Sequence, residues 1–253
     1  MKSEHIPDSS GDFACRCGNR STGPRLDDND ADVARRGFLR SAITGAVVGV
    51  IAGTAATSPR RAAAQDTPDA ALKTMMDGNE RYAGGQLKSL AEDLSILKAK
   101  TAEKQEPFGA VLSCADSRVP VEIVFDQSIG HLFVVRVAGN VATPEIIASL
   151  EYGVAVLGTK VLMVLGHGNC GAVKATIEGK AVPGQISALY APIRPAVDAA
   201  GPDLDAAINA NAKIQATLLS KASPIIAGAI KEGRLKVVPA RYDLASGRVS
   251  LLA

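Results

Sequence analysis

The sequence predicts an α/β fold with a mainly parallel central sheet of about four to five strands, flanked by helices. Two observations lead to this prediction: short β-branched apolar runs recur along the chain, and segments with helical spacing of apolar residues separate them. Parallel strands need long crossover connections, and strands covered on both faces read as continuous apolar runs. With 253 residues, 47% of them hydrophobic, the chain can bury one sizeable core.

Helices are predicted where apolar residues recur between start and stop signals. Thr67 before Pro68 is typical of a helix N-terminus, and Gly84 is typical of a helix end. The predicted helices cover 68–83, 90–104, 143–157, 171–177 and, with interruptions at 201–202 and 224, the alanine-rich stretch 184–232. The predicted strands cover 108–113, 132–137, 160–165 and 235–239, and a hairpin covers 242–252.

The first 64 residues are expected to lie outside this fold. Residues 1–34 have no periodicity and read as a disordered leader. A twin arginine at 35–36 then precedes an uncharged run over 41–59, and a small-residue cleavage pattern ends at Ala64. This order resembles a bacterial twin-arginine export signal, with a transmembrane anchor as the alternative. We therefore expect a periplasmic or secreted protein with a single domain over 65–253.

The charge balance of the mature chain gives no case for a nucleic-acid or membrane partner. The leader holds nine Lys/Arg and seven Asp/Glu, which leaves 19 of the 28 basic and 19 of the 26 acidic side chains in 65–253. A net charge near zero, with no run of Lys or Arg, does not attract phosphate backbones or anionic lipid. After the signal, we expect no hydrophobic stretch long enough to span a bilayer.

The strongest functional signal is a set of metal-ligating residue types at the ends of two predicted strands. Cys114 and Asp116 follow the first strand, and His167 and Cys170 follow the third. Thiolates, imidazole and carboxylate are the donors that Zn²⁺ takes, and open α/β sheets place their sites at the carboxyl ends of strands. We therefore predict one Zn²⁺ per chain. A disulfide between the two cysteines is the alternative, because free thiols pair in an oxidising compartment.

These motifs belong to a longer series that resembles the β-class carbonic anhydrases. Its core is Cys-x-Asp-x-Arg at 114–118 and His-x-x-Cys at 167–170. The other matching segments are 78–82, 105–107, 132–140, 149–154 and 166–173. The resemblance covers about 67–253 and implies reversible hydration of CO₂ to bicarbonate and a proton by zinc-bound hydroxide.

The resemblance also gives each residue of the two motifs a role. Cys114, His167 and Cys170 are expected to hold the metal. Asp116 is expected either to orient the reacting hydroxide or to occupy the fourth position on the metal. Arg118 offers a bidentate partner that can hold this carboxylate away from the metal.

The resemblance places further residues in the substrate pocket. Gln105 would hold CO₂ or bicarbonate through its amide, Phe133 and Tyr152 would make the cleft apolar, and Gly171 would bring a backbone N–H near the metal. For the first three, a loop residue and ordinary core residues are the alternatives. In similar enzymes the N-terminal helices pack on a neighbouring subunit with the cleft at the interface, which implies a homodimer or a dimer of dimers.

Other functions remain open from the sequence. A CS₂ or COS hydrolase would use the same scaffold and zinc hydroxide, because small linear electrophiles differ mainly in the shape of the access path. A non-catalytic zinc-binding protein would keep Asp116 on the metal, and a disulfide-stapled binding module would hold no metal. The presence of Arg118 and Gln105 favours the enzyme.

Overall fold

A mostly parallel sheet is the centre of the described chain, which in this computed structural model comprises residues 65–89, 98–99 and 101–253. Within these residues the sheet has five strands: β1 Gly109–Ser113, β2 Leu132–Arg136, β3 Val161–His167, β4 Lys236–Tyr242 and β5 Val249–Leu251. Their spatial order is β2-β1-β3-β4-β5, and only β5 runs antiparallel to its neighbour. The predicted fold class is confirmed.

Two sequence predictions concern residues outside the described ranges. The leader and export signal at 1–64 lie outside the described residues, as does most of the helix predicted at 90–104. In the part that is described, no helix combines the length and apolar character that a membrane span needs.

Helices cover both faces of the sheet. They are α1 Pro68–Ala83, α2 Val121–Val124, α3 Pro144–Ala155, α4 Gly171–Glu178, α5 Tyr190–Ala200, α6 Leu204–Ala222 and α7 Pro224–Lys231. Met163 belongs to the core cluster that includes α1 residues, whereas Leu162 and Val164 belong to the cluster that includes α3, α6 and α7 residues. Because β1 and β3 are buried on both faces, their sequences read as unbroken apolar runs.

The helix boundaries follow local capping chemistry. Thr67 caps α1 as predicted, and its side chain accepts a hydrogen bond from the Ala70 N–H at 3.2 Å. Asp203 and Ser223 cap α6 and α7 in the same way, which explains where the alanine-rich stretch breaks. The sequence did not predict α2, because four residues show no periodicity.

The segment 78–82 fixes α1 to its own chain. The Asn79 amide donates to the carbonyl oxygens of Val124 at 3.1 Å and Gly247 at 2.9 Å, and it accepts from the Val249 N–H at 2.7 Å. A Cβ at Gly78 would clash with the carbonyl oxygen of Phe125. This face of α1 is therefore committed to the sheet of the same chain, and packing of the N-terminal helices on a neighbouring subunit stays a prediction.

Candidate metal centre

The carboxyl ends of β1 and β3 bring the predicted ligands together. The two strands are adjacent and parallel, so Cys114, just after β1, lies near His167, the last residue of β3. Cys170 follows as the N-cap of α4. Among the described residues, these three side chains form a buried group whose ligand atoms all lie within 4.8 Å of one another. The geometry is that of a Cys-His-Cys metal-binding group.

The donor set fits a divalent metal such as zinc. We assign the imidazole proton of His167 to Nδ1, which lies 2.9 Å from the carbonyl oxygen of Gly168 and can donate to it. Its Nε2 is then a bare acceptor, buried and without a hydrogen-bond partner in the described structure. An unsatisfied buried nitrogen is costly, and a metal ion bound beside the two cysteine sulfurs would satisfy it. Cys114 and Cys170 are free thiols, so the disulfide alternative is not the arrangement observed.

The pKa values of the two cysteine thiols are shifted in opposite directions. The Cys170 thiol hydrogen-bonds to the Cys114 sulfur and, although burial opposes it, this bond together with the Gly139 N–H lowers the pKa of Cys114 to about 4. The same hydrogen bond, together with burial, raises the pKa of Cys170. A divalent cation beside the two sulfurs would bind both as thiolates and release their protons.

Arg118 holds the carboxylate of Asp116 in a bidentate pair. Its Nε donates to Oδ1 at 2.9 Å, its Nη2 donates to Oδ2 at 2.7 Å, and its backbone N–H donates to Oδ1 at 3.0 Å. This hydrogen bonding holds the pKa of Asp116 well below its usual range. Oδ2 lies 3.9 Å from Nε2 of His167, so the carboxylate is beside the ligand group while both its oxygens are engaged elsewhere.

Arg136 supports the same turn, and sequence reasoning gave it no role. Its Nε donates to the carbonyl oxygen of Cys114 at 3.0 Å, and its Nη2 donates to that of Asp116 at 2.5 Å. Arg136 ends β2 directly beside Ser113 in β1. The sheet register is the signal that would have found it, because the residue after Ser113 is the first ligand.

Three of the four predicted pocket residues, Gln105, Phe133 and Tyr152, lie at the other end of the sheet. Phe133 pairs with Ala110 near the amino end of β1, and its ring centroid lies 6.3 Å from that of Tyr152. Gln105 and Tyr152 line one open cleft of about 550 Å³. Ala110 precedes Cys114 by four residues, which is roughly 13 Å along a strand. The structure brings the three pocket residues together but not to the metal ligands of the same chain.

Gly171 lies beside the metal-binding group. It is the first residue of α4, directly after Cys170, and it is exposed. Backbone N–H groups in the first turn of a helix have no partner within that helix. The Gly171 N–H is therefore available at this end of the sheet, and its role toward a ligand on the metal stays a prediction.

Comparison with known proteins gives the family to which the chain is similar. The family model for carbonic anhydrase matches residues 109–249. The carbonic anhydrase of Mycolicibacterium smegmatis is 35% identical over 192 residues, which cover 73% of this chain and 93% of that protein. The solved Coccomyxa β-carbonic anhydrase in complex with acetazolamide is 29% identical with a TM-score of 0.57, covering 72% of this chain and 86% of that one.

A tetrameric β-carbonic anhydrase of Sordaria macrospora shares the fold. It is 24% identical with a TM-score of 0.59, and the match covers 72% of this chain and 97% of that one. The region matched by the family model runs from the first residue of β1 to the first residue of β5 and includes the whole Cys-His-Cys group. The chain therefore belongs to the family of β-class carbonic anhydrases.

Proposed function

We propose that this protein is a zinc enzyme that hydrates CO₂ reversibly to bicarbonate and a proton, with the metal on Cys114, His167 and Cys170. The observation that carries the proposal is the buried, unpartnered Nε2 of His167 beside two free thiols. When bound by three protein ligands, zinc keeps a position for water and lowers the pKa of that water toward ~7. We infer the reaction, hydration of CO₂, from membership of the carbonic anhydrase family.

Cys114, His167 and Cys170 would hold the metal, and their surroundings orient them for it. The Gly168 carbonyl oxygen fixes the ring of His167 through Nδ1 and so directs Nε2 toward the metal position. As thiolates, Cys114 and Cys170 balance the charge of a divalent ion. Burial of all three ligands keeps bulk water from competing with them.

Asp116 and Arg118 control access to the fourth position. A free carboxylate this close to the ligands could bind the metal and shut the site, but Arg118 engages both oxygens. Oδ1 accepts two hydrogen bonds from Arg118, whereas Oδ2 accepts only one and keeps a lone pair that can accept a hydrogen bond from the attacking water and orient it. Because the pairing lowers the pKa of Asp116, the carboxylate stays ionised through neutral pH. This arrangement supports the orienting role over the role of fourth ligand.

We also infer that Gln105, Phe133 and Tyr152 form the substrate pocket for the metal centre of another copy of the chain. Within one chain, Phe133 lies opposite Ala110, four residues before the first ligand, and Tyr152 lies against its ring, so these residues are far from the metal ligands of that chain. Tyr152 is 48% exposed and Val156, just after α3, is 64% exposed, which suits burial against a partner. The Sordaria macrospora enzymes are tetrameric. A homodimer or a dimer of dimers is the proposed assembly.

The leader supports a proposal of export through the twin-arginine route. We expect the periplasmic form of the protein to begin at Gln65, after the small-residue pattern. N-terminal sequencing of the protein from a periplasmic fraction tests this. An intact leader on protein found only in the cytoplasm would contradict it.

Stopped-flow CO₂ hydration by the zinc-loaded protein at about pH 8.5 tests the proposed reaction. We expect turnover well above the buffer rate, and we expect a sulfonamide or a small zinc-binding anion to block it. No turnover from protein that holds one zinc per chain would contradict the proposal. Hydrolysis of CS₂ or COS by that same protein would then identify the other reaction.

A further inference from the structure

A buried pair of side-chain amides on α6 reaches the turn beside the metal ligands. Asn211 and Gln215 lie one helical turn apart, and each is only 1% exposed. The Asn211 Nδ2 donates to the carbonyl oxygen of Gly139 at 2.8 Å. The Gln215 Oε1 accepts from the Ala142 N–H at 2.9 Å. Both side chains therefore bind the backbone of the turn that follows β2.

The two amides also bind each other. The Gln215 Nε2 donates to the Asn211 Oδ1 at 3.2 Å and to the carbonyl oxygen of Pro192 at 3.0 Å. Each of the four polar side-chain atoms thus takes part in at least one hydrogen bond. Flipping either amide would set acceptors against acceptors, so the network has one orientation. A fully satisfied buried network of this kind rigidifies what it holds.

Gly139, in this turn, contacts both Asn211 and the sulfur of Cys114. Gly139 has a φ of +75°, and a Cβ there would lie 2.7 Å from Cδ1 of Ile193, so only glycine fits. Its carbonyl oxygen accepts from Asn211, and its N–H donates to the sulfur of Cys114 at 3.3 Å. One residue thereby links the helix α6 to the ligand sulfur.

We propose that Asn211, supported by Gln215, is a positioning residue of the metal centre that fixes Gly139 so that its N–H points at the Cys114 sulfur. A hydrogen bond to a ligand sulfur fixes the direction of the sulfur lone pairs and withdraws charge from them. The inference rests on the proposed function, because it takes Cys114 as a ligand of the metal. It adds a part of the site that lies on the alanine-rich helices.

The variant Asn211→Leu tests the proposal, with Asn209→Leu on the same helix as the matched control. The Asn209 Oδ1 is buried without a partner in the described structure, so its loss breaks no hydrogen bond to the turn. Zinc affinity is measured by competition with a chromophoric chelator. Cobalt(II) in place of zinc reports on the sulfur through its charge-transfer band.

We expect Asn211→Leu to weaken zinc binding by about tenfold or more, within the range typical of groups that orient a ligand. The cobalt band should move to lower energy, because the sulfur keeps more of its charge. The Asn209→Leu control should leave both the affinity and the band unchanged. Gln215 does not touch Gly139, so Gln215→Leu should change the zinc affinity and the cobalt band in the same direction but by less. If Asn211→Leu does not fold, the result for Gln215→Leu decides whether the proposal holds.

Thermal unfolding of the metal-free variants separates positioning from general destabilisation, which lowers Tm without moving the band. Wild-type affinity and an unmoved band in folded Asn211→Leu would overturn the proposal, as would those results in Gln215→Leu if it alone folds. A wild-type protein that binds neither zinc nor cobalt through Cys114 would overturn the proposed function and this inference together.

Discussion

The carboxyl and amino ends of the sheet differ in how their functional groups are satisfied. At the carboxyl ends, the ligands are buried and Asp116 is held by Arg118 of the same chain. At the amino ends, Gln105 and Tyr152 line an open cleft, and no metal-binding group of the described residues lies beside them. One chain can therefore complete a metal centre from two short motifs on adjacent strands. The three predicted pocket residues at the amino ends are not brought to these ligands within one chain.

Cys170→Ser breaks the metal end and has the largest expected effect. A hydroxyl is a poor zinc ligand, so the variant should lose its zinc and lose activity by more than the roughly 100-fold that loss of an orienting group costs. Metal analysis of the purified protein together with stopped-flow hydration measures both. Full zinc occupancy in a folded Cys170→Ser protein would contradict the ligand assignment.

Arg118→Ala should keep the zinc but close the site. Released from the guanidinium, Asp116 can take the fourth position, and we expect kcat/KM to fall by roughly 100-fold. Arg118→Lys keeps the charge without the bidentate geometry, so its rate should lie between those of the wild type and the alanine variant. A wild-type rate in zinc-loaded Arg118→Ala would refute the role of the pair.

Gln105→Ala at the cleft end should have a smaller effect. It removes one hydrogen bond to the substrate and leaves the metal untouched, so we expect about a tenfold loss of kcat/KM with unchanged zinc content. Gln86→Ala, an exposed glutamine outside the cleft, is the matched control and should behave as wild type. Equal rates for the two variants would place Gln105 outside the pocket.

Asp126→Asn should change stability rather than rate, and it has the smallest effect. Burial raises the pKa of Asp126, but hydrogen bonds from the Ser89 N–H, the Arg81 Nε and the Lys88 N–H outweigh it and lower the pKa to about 2. This carboxylate binds the backbone N–H groups just after α1. The variant should unfold roughly 5 °C below wild type at neutral pH.

The contribution of Asp126 to stability depends on pH, because its pKa differs between the folded and unfolded states. The folded pKa of Asp126 lies below the unfolded value of about 3.9, so its contribution to stability is present above that value and is lost as the pH falls toward 2. The gap in Tm between wild type and Asp126→Asn should therefore narrow between about pH 4 and pH 2. A gap of constant size across this range would contradict the assignment.

The metal end could be predicted from the sequence because its determinants are local. Apolar runs locate β1 and β3, and the ligands follow them within a few residues. The sequence predicts that β3 ends at 165 and β4 at 239, whereas the strands continue to His167 and Tyr242. Polar side chains such as Arg241 interrupt the apolar pattern there, although the backbone pairing continues.

The supports of the site could not be predicted, because they depend on long-range packing. Asn211 and Gln215 lie in an alanine-rich helix, where polar residues usually face solvent, yet both are buried because they satisfy each other and the backbone. Arg136 acts through sheet register, which no local pattern shows. The resemblance implied Gln105, Phe133 and Tyr152 as pocket residues, but only the strand order and register show that Phe133 lies far from the metal ligands of its own chain.

Subunit complementation tests most directly whether the two ends form one active site across copies. Chains carrying Cys170→Ser and chains carrying Gln105→Ala are given different affinity tags, and the mixed assembly is isolated and assayed for CO₂ hydration. We expect wild-type kcat/KM per bound zinc, because the zinc of the Gln105→Ala chain meets an intact cleft on its partner. A rate per zinc equal to that of the Gln105→Ala homo-oligomer would contradict a site shared between copies.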